Sequence, residues 1–354
     1  MSKLALNAAP VQRERLWSAL ACVSAAWFTG AAPARAQTAD PLVDAREARR
    51  WLSRMHEAAG RKSFQGIFVV SAGGAVSSSH IVHYCDGRNQ YERIDSLDGQ
   101  RRRVLRHNDT VLTLWPTSRV ALLESREALG EFPSLLQSSA DRIVRLYDAR
   151  PLGADRVAGL DALVLQLQPR DAYRFGLRLW AEKNSGLLLR AEVLGDRDEV
   201  IESSAFSEVQ IGIRSQPEQV LQAMRRLEGY RVERPVLDPT DLEREGWLTR
   251  QLPPGFVLSR SVKRVIDIEQ PRPAAMGDAD ARATVLQSSF SDGLNHVSVF
   301  IEPFRPQRHK RELLMSMGAT QTLALRHGDW WLTVIGDVPV LTLRAFAGAL
   351  ERRK

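Results

Sequence analysis

Cysteine is nearly absent: the 354 residues hold two, Cys22 and Cys85. Once a leader carrying Cys22 is removed, Cys85 stands alone. No internal disulfide can then brace the fold, and stability must come from burial. A strong charge of one sign is also lacking. Lys and Arg number 49 against 42 Asp and Glu, a net of +7, far from the basic stripe of a nucleic-acid binder. Beyond residue 36 no apolar run approaches the roughly 20 residues that a membrane-spanning helix needs. Catalytic signatures are missing too: there is no G-x-S-x-G elbow, no H-E-x-x-H and no phosphate-binding glycine loop. No catalytic site and no cofactor are expected.

What is present begins with an export signal. Lys3, Arg13 and Arg15 form a positive start, and residues 16–30 are uncharged and mostly apolar. Ala34-Arg35-Ala36 then supplies the small-x-small pattern of a cleavage site, which predicts a mature chain beginning at Gln37. Removing residues 1–36 takes away four basic side chains and one acidic one and leaves +4. Cys22, preceded by Ala19-Leu20-Ala21, allows a lipoprotein alternative, but few apolar residues precede that cut. The remaining length suffices for two ordinary cores.

After Asp40, read as an N-cap, Leu42, Ala45, Ala48, Trp51, Leu52, Met55 and Ala59 recur at helical spacing up to Gly60. From residue 64 to 210 the pattern changes to strands. Asp86-Gly87, Asp98-Gly99 and Asn184-Ser185-Gly186 mark turns, because Gly accepts positive φ. Strands are expected at 64–71, 79–84, 104–115, 120–123, 143–147, 155–168, 173–181, 187–194 and 201–213. A short helix is expected at 132–136. So many antiparallel strands predict a large curved sheet or open barrel, with the leading helix on its concave side. A short helix at 216–227 and a Pro-containing linker at 231–240 follow. A second module starts near Trp247, with a rigid turn at Leu252-Pro253-Pro254-Gly255-Phe256 and a loop at 270–280. Hairpins are expected at 285–301 and 320–335. Pro339 opens a terminal helix whose end carries basic residues, which suits the helix dipole.

Few side chains point to chemistry. His80 and His83 fall on opposite faces of a strand. His83 and Cys85 share a face, but two ligands fall short of a zinc site, so no metal is expected. Arg101, Arg102, Arg103 and Arg106 form the densest basic cluster. Arg101, Arg103 and Arg106 are candidates for an acidic partner or lipid phosphate, against the plainer reading of a solvated strand face. Trp330-Trp331 puts one indole on each side of its strand, one for the core and one as a candidate interface anchor. Phe256, Phe300 and Phe304 extend that patch or fill the small core.

Several stretches, in order, resemble the RseB/MucB family. In the first module these are Phe64-Gln65-Gly66-Ile67-Phe68-Val69 and Ile94-Asp95-Ser96-Leu97-Asp98-Gly99. Asp155-Arg156-Val157-Ala158-Gly159 and Pro169-Arg170-Asp171-Ala172-Tyr173-Arg174-Phe175-Gly176 follow. In the second they are Leu252-Pro253-Pro254-Gly255-Phe256 and Phe290-Ser291-Asp292-Gly293-Leu294. Arg101-Arg102-Arg103 departs from the family pattern, which has an acid among the basic residues before Val104.

The resemblance implies an α+β protein: a large half-open antiparallel β-barrel, LolA/LolB-like, with helices on its concave side, plus a smaller C-terminal α+β domain. The expected organisation is a signal peptide at 1–36, the half-barrel at 37–215, a linker at 216–245 and the small domain at 246–354. It implies a periplasmic regulator that binds the periplasmic domain of an RseA/MucA-type anti-sigma factor and shields it from its site-one protease. Lipid or lipopolysaccharide in the barrel would be the releasing signal. Phe68, Leu112, Leu114, Trp115, Leu135, Leu136, Trp180 and Leu188 are then candidates to line the lipid cavity, although each alone reads more readily as core. A homodimer is a further possible association. The rival readings are a periplasmic lipid or lipoprotein carrier that uses the barrel alone and, more remotely, an enzyme.

Overall fold

The computed structural model describes residues 44–125, 132–133, 140–267 and 282–353. The first helix, α1 (Ala45–Arg61), is capped by Asp44, whose carboxylate accepts the Arg46 N–H at 3.3 Å. Asp40, the cap expected from the sequence, lies outside the described residues. Six strands follow: β1 (Phe64–Ala72), β2 (Ala75–Cys85), β3 (Gln90–Ser96), β4 (Arg103–His107), β5 (Thr110–Trp115) and β6 (Val120–Ser125). The run expected as one strand at 104–115 is therefore a hairpin, turned at Asn108, which adopts φ 51°. Asparagine tolerates that conformation at little cost.

Phe132-Pro133 forms a turn, and the rest of the helix expected at 132–136 lies outside the described residues. Residues 143–146 are helical, not strand: Ile143 and Val144 are buried in α2 (Ala140–Leu146). Five strands come next: β7 (Tyr147–Val157), β8 (Leu160–Pro169), β9 (Gly176–Glu182), β10 (Leu188–Leu194) and β11 (Val200–Ile211). β7 and β8 divide the run expected at 155–168, because Ala158 and Gly159 both take positive φ and reverse the chain. Helix α3 (Pro217–Arg225) then leads to β12 (Arg231–Glu233).

These twelve strands form one sheet in the order β12-β6-β5-β4-β3-β2-β1-β11-β10-β9-β8-β7. All its ladders are antiparallel except β12 against β6. The two end strands are not paired with each other, so this barrel is half-open.

The chain continues through β13 (Leu237–Thr240), β14 (Trp247–Thr249), β15 (Val257–Asp267), β16 (Arg282–Ser291), β17 (His296–Pro303), β18 (Leu313–Met317), β19 (Thr320–His327) and β20 (Trp330–Gly336), all but β14 in a second sheet. Seven of them run in the order β13-β15-β16-β17-β20-β19-β18. Helix α4 (Val340–Ala349) buries Leu343 and Phe346 against this sheet, beside Phe256, Phe290 and Trp247. The chain then leaves helical backbone at Leu350 and forms β21 (Leu350–Arg352), which pairs with β14. The terminal helix thus lacks the basic last turn expected of it. The stretch expected as a plain linker at 231–240 supplies β12 to one sheet and β13 to the other. The loop expected at 270–280 lies outside the described residues. Among the described residues no helix is long and apolar enough to cross a membrane.

The two sheets meet around Arg174, whose side chain is entirely buried. Its Nε donates to Asp292 Oδ2 at 2.7 Å and its Nη1 to Asp171 Oδ2 at 2.5 Å. Its Nη2 donates to the Pro254 carbonyl, and the guanidinium lies 5.1 Å from the Phe256 ring centre. Asp292, equally buried, also accepts the N–H groups of Leu294 and Asn295. The Asn295 amide donates to the Tyr147 hydroxyl at 2.9 Å, and the Thr342 hydroxyl to the Tyr173 carbonyl at 2.8 Å. A second contact joins the sheets elsewhere. Glu202 accepts the Ala319 N–H at 3.1 Å, and Gly318 approaches so closely that a Cβ there would lie 2.7 Å from Ala72 Cβ.

Removing one member of a buried ion pair strands the other. Asp292→Ala is therefore expected to lower unfolding stability by about 3 kcal/mol, measured by urea denaturation. A loss within experimental error would contradict this account of the joint. Tyr147 offers a pH test. Burial raises its hydroxyl pKa, and the Asp292 charge raises it further. The folded state therefore keeps Tyr147 neutral where the unfolded chain ionises, near pH 10. Its contribution is complete below that pH and falls above it. Stability measured from pH 9 to 11.5 should decline less steeply in Tyr147→Phe than in the unaltered protein; identical slopes would show that Tyr147 is not the group responsible.

Candidate binding surfaces

Strand register sorts the candidate apolar residues. Phe68 stands opposite Phe206 and Ser79, and its side of the sheet continues through Ile81, Ile94 and Val104. Leu105, Leu112 and Leu114 lie in the alternate rows and point the other way. Helix α1 covers the Phe68 side, where Leu52 and Met55 pack with Leu165, Leu179 and Leu188. Helix α3 covers the opposite side, where Val220 meets Tyr84, Tyr91, Leu112 and Leu114. Trp115 is half-buried at the end of β5.

Trp180 stands in the row of Arg190 and Ala205, away from the α1 side. Its indole N–H donates to Asp155 at 2.9 Å, and the Arg190 guanidinium lies 4.6 Å from its ring centre. Arg190 and Arg178 both bond Glu192, which is buried. Leu135 and Leu136 lie outside the described residues. Of the six described candidates, then, Phe68, Leu188 and, in the row of Thr113, Trp115 lie on the Phe68 side of the sheet, while Leu112, Leu114 and Trp180 do not.

That face holds an aromatic group which sequence reading missed. Phe132 packs against Phe68 and Phe206, with ring centres 5.7 and 5.2 Å away. On the same side of the sheet a cleft of about 330 Å³ opens between α1 and the β8–β9 ladder. Trp51, Met55, Leu163 and Ala181 form its apolar wall, and Arg50 and Glu182 stand at its rim. Arg54 ties the helix down by donating to the carbonyls of Lys183 and Asn184 at 2.5 and 2.6 Å. Burial opposes the Glu182 charge, yet the Ser185 and Asn184 donors and the Arg54 charge hold its pKa below the usual value. The rim therefore carries both signs of charge over an apolar interior, which suits an amphipathic guest.

The basic candidates do not converge. Arg101 is exposed ahead of β4. Arg103 lies on the Leu114 side and pairs with Asp95, which Arg93 also engages at 3.0 Å. Arg106 lies on the Phe68 side and donates to the Asn108 carbonyl at 2.8 Å. Trp330 and Trp331 sit on opposite faces of their sheet. Trp330 meets Trp247 edge-on at 5.5 Å and has the Arg352 guanidinium 4.8 Å away. Trp331 stacks on His309 at 4.7 Å. Burial holds the His309 pKa below its usual value, although the Glu302 charge opposes this. Phe256 belongs to the core, whereas Phe304 lies beside Trp331.

His80 and His83 fall on opposite faces, as strand geometry requires. His83 is buried, stacked on Phe64 at 5.0 Å, with its Nδ1 3.3 Å from Glu92. The Cys85 thiol accepts the Gly87 N–H at 3.3 Å. Among the described residues no group of three or more His, Cys, Asp or Glu is placed to hold a metal ion.

Comparison with known proteins places this architecture. Residues 47–224 match the MucB/RseB N-terminal domain and residues 241–351 the MucB/RseB C-terminal domain. The sigma factor AlgU regulatory protein MucB of Pseudomonas aeruginosa is 29% identical over 314 residues, which cover 87% of this chain and 92% of that protein. The sigma-E factor regulatory protein RseB of Haemophilus influenzae is 22% identical, over 86% of this chain and 91% of its own. The crystal structure of MucB in complex with MucA(peri) superposes with a TM-score of 0.63 at 27% identity, over 87% of this chain and 99% of that one. A second MucA/MucB complex, from Pseudomonas aeruginosa, gives 0.65 at the same identity and with the same coverage. Both sheets and the segment between them fall within these matches, and the chain belongs to the MucB/RseB family.

Proposed function

We propose that this protein is a periplasmic regulator that binds the periplasmic segment of an anti-sigma factor and carries out no catalysis. The observation that carries this reading is its likeness, across both sheets, to MucB solved with MucA(peri). The buried joint around Arg174 supports it. A joint whose central ion pair, Arg174 with Asp292, is fully buried holds the two sheets together, and two modules held in one relation present a preorganised surface to a peptide. Binding along that surface would hide the peptide backbone from the site-one protease. Cleavage of the anti-sigma segment by that protease should slow by roughly tenfold or more at saturating protein, as expected for a substrate cleaved only when free. An unchanged rate would refute the shielding role.

Lipid is the releasing signal in this reading. The face that α1 covers is the favoured entry, because Phe68, Phe206 and Leu188 lie there and the cleft opens there. Trp51 in the cleft wall is a natural reporter. Bromine-labelled acyl lipid should quench tryptophan fluorescence, and Trp51→Phe should remove most of that quenching, since quenching acts over contact distances and Trp51 is the indole in the cleft wall. Equal quenching in both proteins would place the lipid elsewhere.

A further inference from the structure

Two turns meet at one corner of the large sheet. β1 and β2 are joined at Gly73-Gly74, and β3 and β4 through Asp98-Gly99; all three glycines take positive φ. Hydrogen bonds lock the turns to each other. The Leu97 N–H donates to the Ser78 carbonyl at 3.0 Å, and Asp98 Oδ2 accepts both the N–H and the hydroxyl of Ser78 at 2.6 Å. These donors hold the Asp98 pKa below its usual value, so its charge is committed to the clamp. Ser96 closes the second turn by accepting the Arg102 N–H on its hydroxyl at 2.9 Å. Gly73 lies against the Gly318 backbone, which braces the first turn from the second sheet.

This braced corner shows water what a fold normally hides. Residues 73–77 and 97–103 are exposed without a break. Val76 is 68% exposed and Leu97 53%. Register and alternation put both on the side of the sheet away from Phe68, together with Arg93 and Arg103. Arg93 and Arg103 share Asp95. The guanidinium groups of Arg101 and Arg102 have no partner among the described residues. Arg93, Arg101, Arg102 and Arg103 thus stand against Asp95 and Asp98, an excess of two positive charges.

We infer that this corner docks the protein on an anionic phospholipid bilayer, with Val76 and Leu97 entering the acyl boundary and Arg101 and Arg102 on the lipid phosphates. An apolar side chain on each of two turns, beside unpaired guanidinium groups, matches a bilayer surface, where charge lies above apolar chains. Guanidinium groups also bind phosphate oxygens two at a time. An acidic peptide fits less well. An extended chain needs a groove or a free strand edge, and the four strands that meet here are all paired on both sides. A bilayer is the yielding plane that an exposed corner can enter. The surface lies on the other side of the sheet from the α1 cleft, and the inference rests neither on lipid entry there nor on the anti-sigma partner. Docking would raise the local concentration of the protein around any partner anchored in the same bilayer.

Co-sedimentation of the purified protein with vesicles tests it. The protein should bind vesicles of phosphatidylglycerol and phosphatidylcholine in equal parts, release as salt is raised, and bind far less to phosphatidylcholine alone. Arg101→Ser/Arg102→Ser should weaken binding by roughly twentyfold and Leu97→Ser by roughly tenfold, with melting temperatures unchanged. Lys62→Ser/Arg214→Ser, which removes the same charge near the far end of β1, should bind as the unaltered protein does. An environment-sensitive fluorophore on Leu97→Cys, in a Cys85→Ser background, should shift to the blue on the vesicles. No binding, equal binding to both kinds of vesicle, a double-arginine variant that binds as well as the unaltered protein, or a fluorophore that answers to polyglutamate rather than to vesicles would each overturn it.

Discussion

One guanidinium, that of Arg174, sets how this molecule is built. Its side chain belongs to the half-barrel, yet two of its hydrogen bonds and its aromatic contact come from the second sheet, through Asp292, Pro254 and Phe256. A charge removed from water must keep its partners, because leaving it unpaired costs more than most packing contacts supply. The second sheet is therefore part of the first sheet's stability, and Tyr147 and Thr342 add to the same joint. A protein cut near residue 246 would expose the apolar and charged surface around Arg174 and could not report cleanly on what the half-barrel does alone.

That constraint bears on function. A partner that spans both modules meets one body, and it loses little entropy in fixing their relation. The half-barrel, for its part, has two working faces. The α1 side carries Phe68, Phe132, Phe206 and the cleft, while the α3 side is packed around Leu105 and Leu112. A guest in the cleft would press on α1, which Arg54 ties to the β9–β10 turn. β9 is in turn the strand that the Arg174 loop leads into. The cleft and the joint are thus linked through one short stretch of chain.

Much of this was readable from the residues. Hairpins turned by Asp86-Gly87, Asp98-Gly99 and Asn184-Ser185-Gly186 were legible, because the glycines there take the positive φ that such turns demand. The turn at Ala158-Gly159 was hidden, since an alanine at φ 49° looks like one more apolar strand residue. Helix α2 was missed because seven residues are too few for helical spacing to outweigh the β-branched pair Ile143 and Val144. The binding surfaces were least legible. Alternation along one strand shows which residues share its face, but not that Phe68 and Leu112 oppose each other, which depends on registers accumulated across five strands. Nor does spacing reveal that Arg174 meets Asp292, more than a hundred residues away.

The central claim, that two sheets joined at Arg174 act as one gripping body, is tested most directly by hydrogen exchange with and without the periplasmic segment of the cognate anti-sigma factor. The account predicts slowed exchange in both sheets on binding, including the segments around Tyr173 and Asp292. Protection confined to one sheet, with the other exchanging as in the free protein, would contradict it.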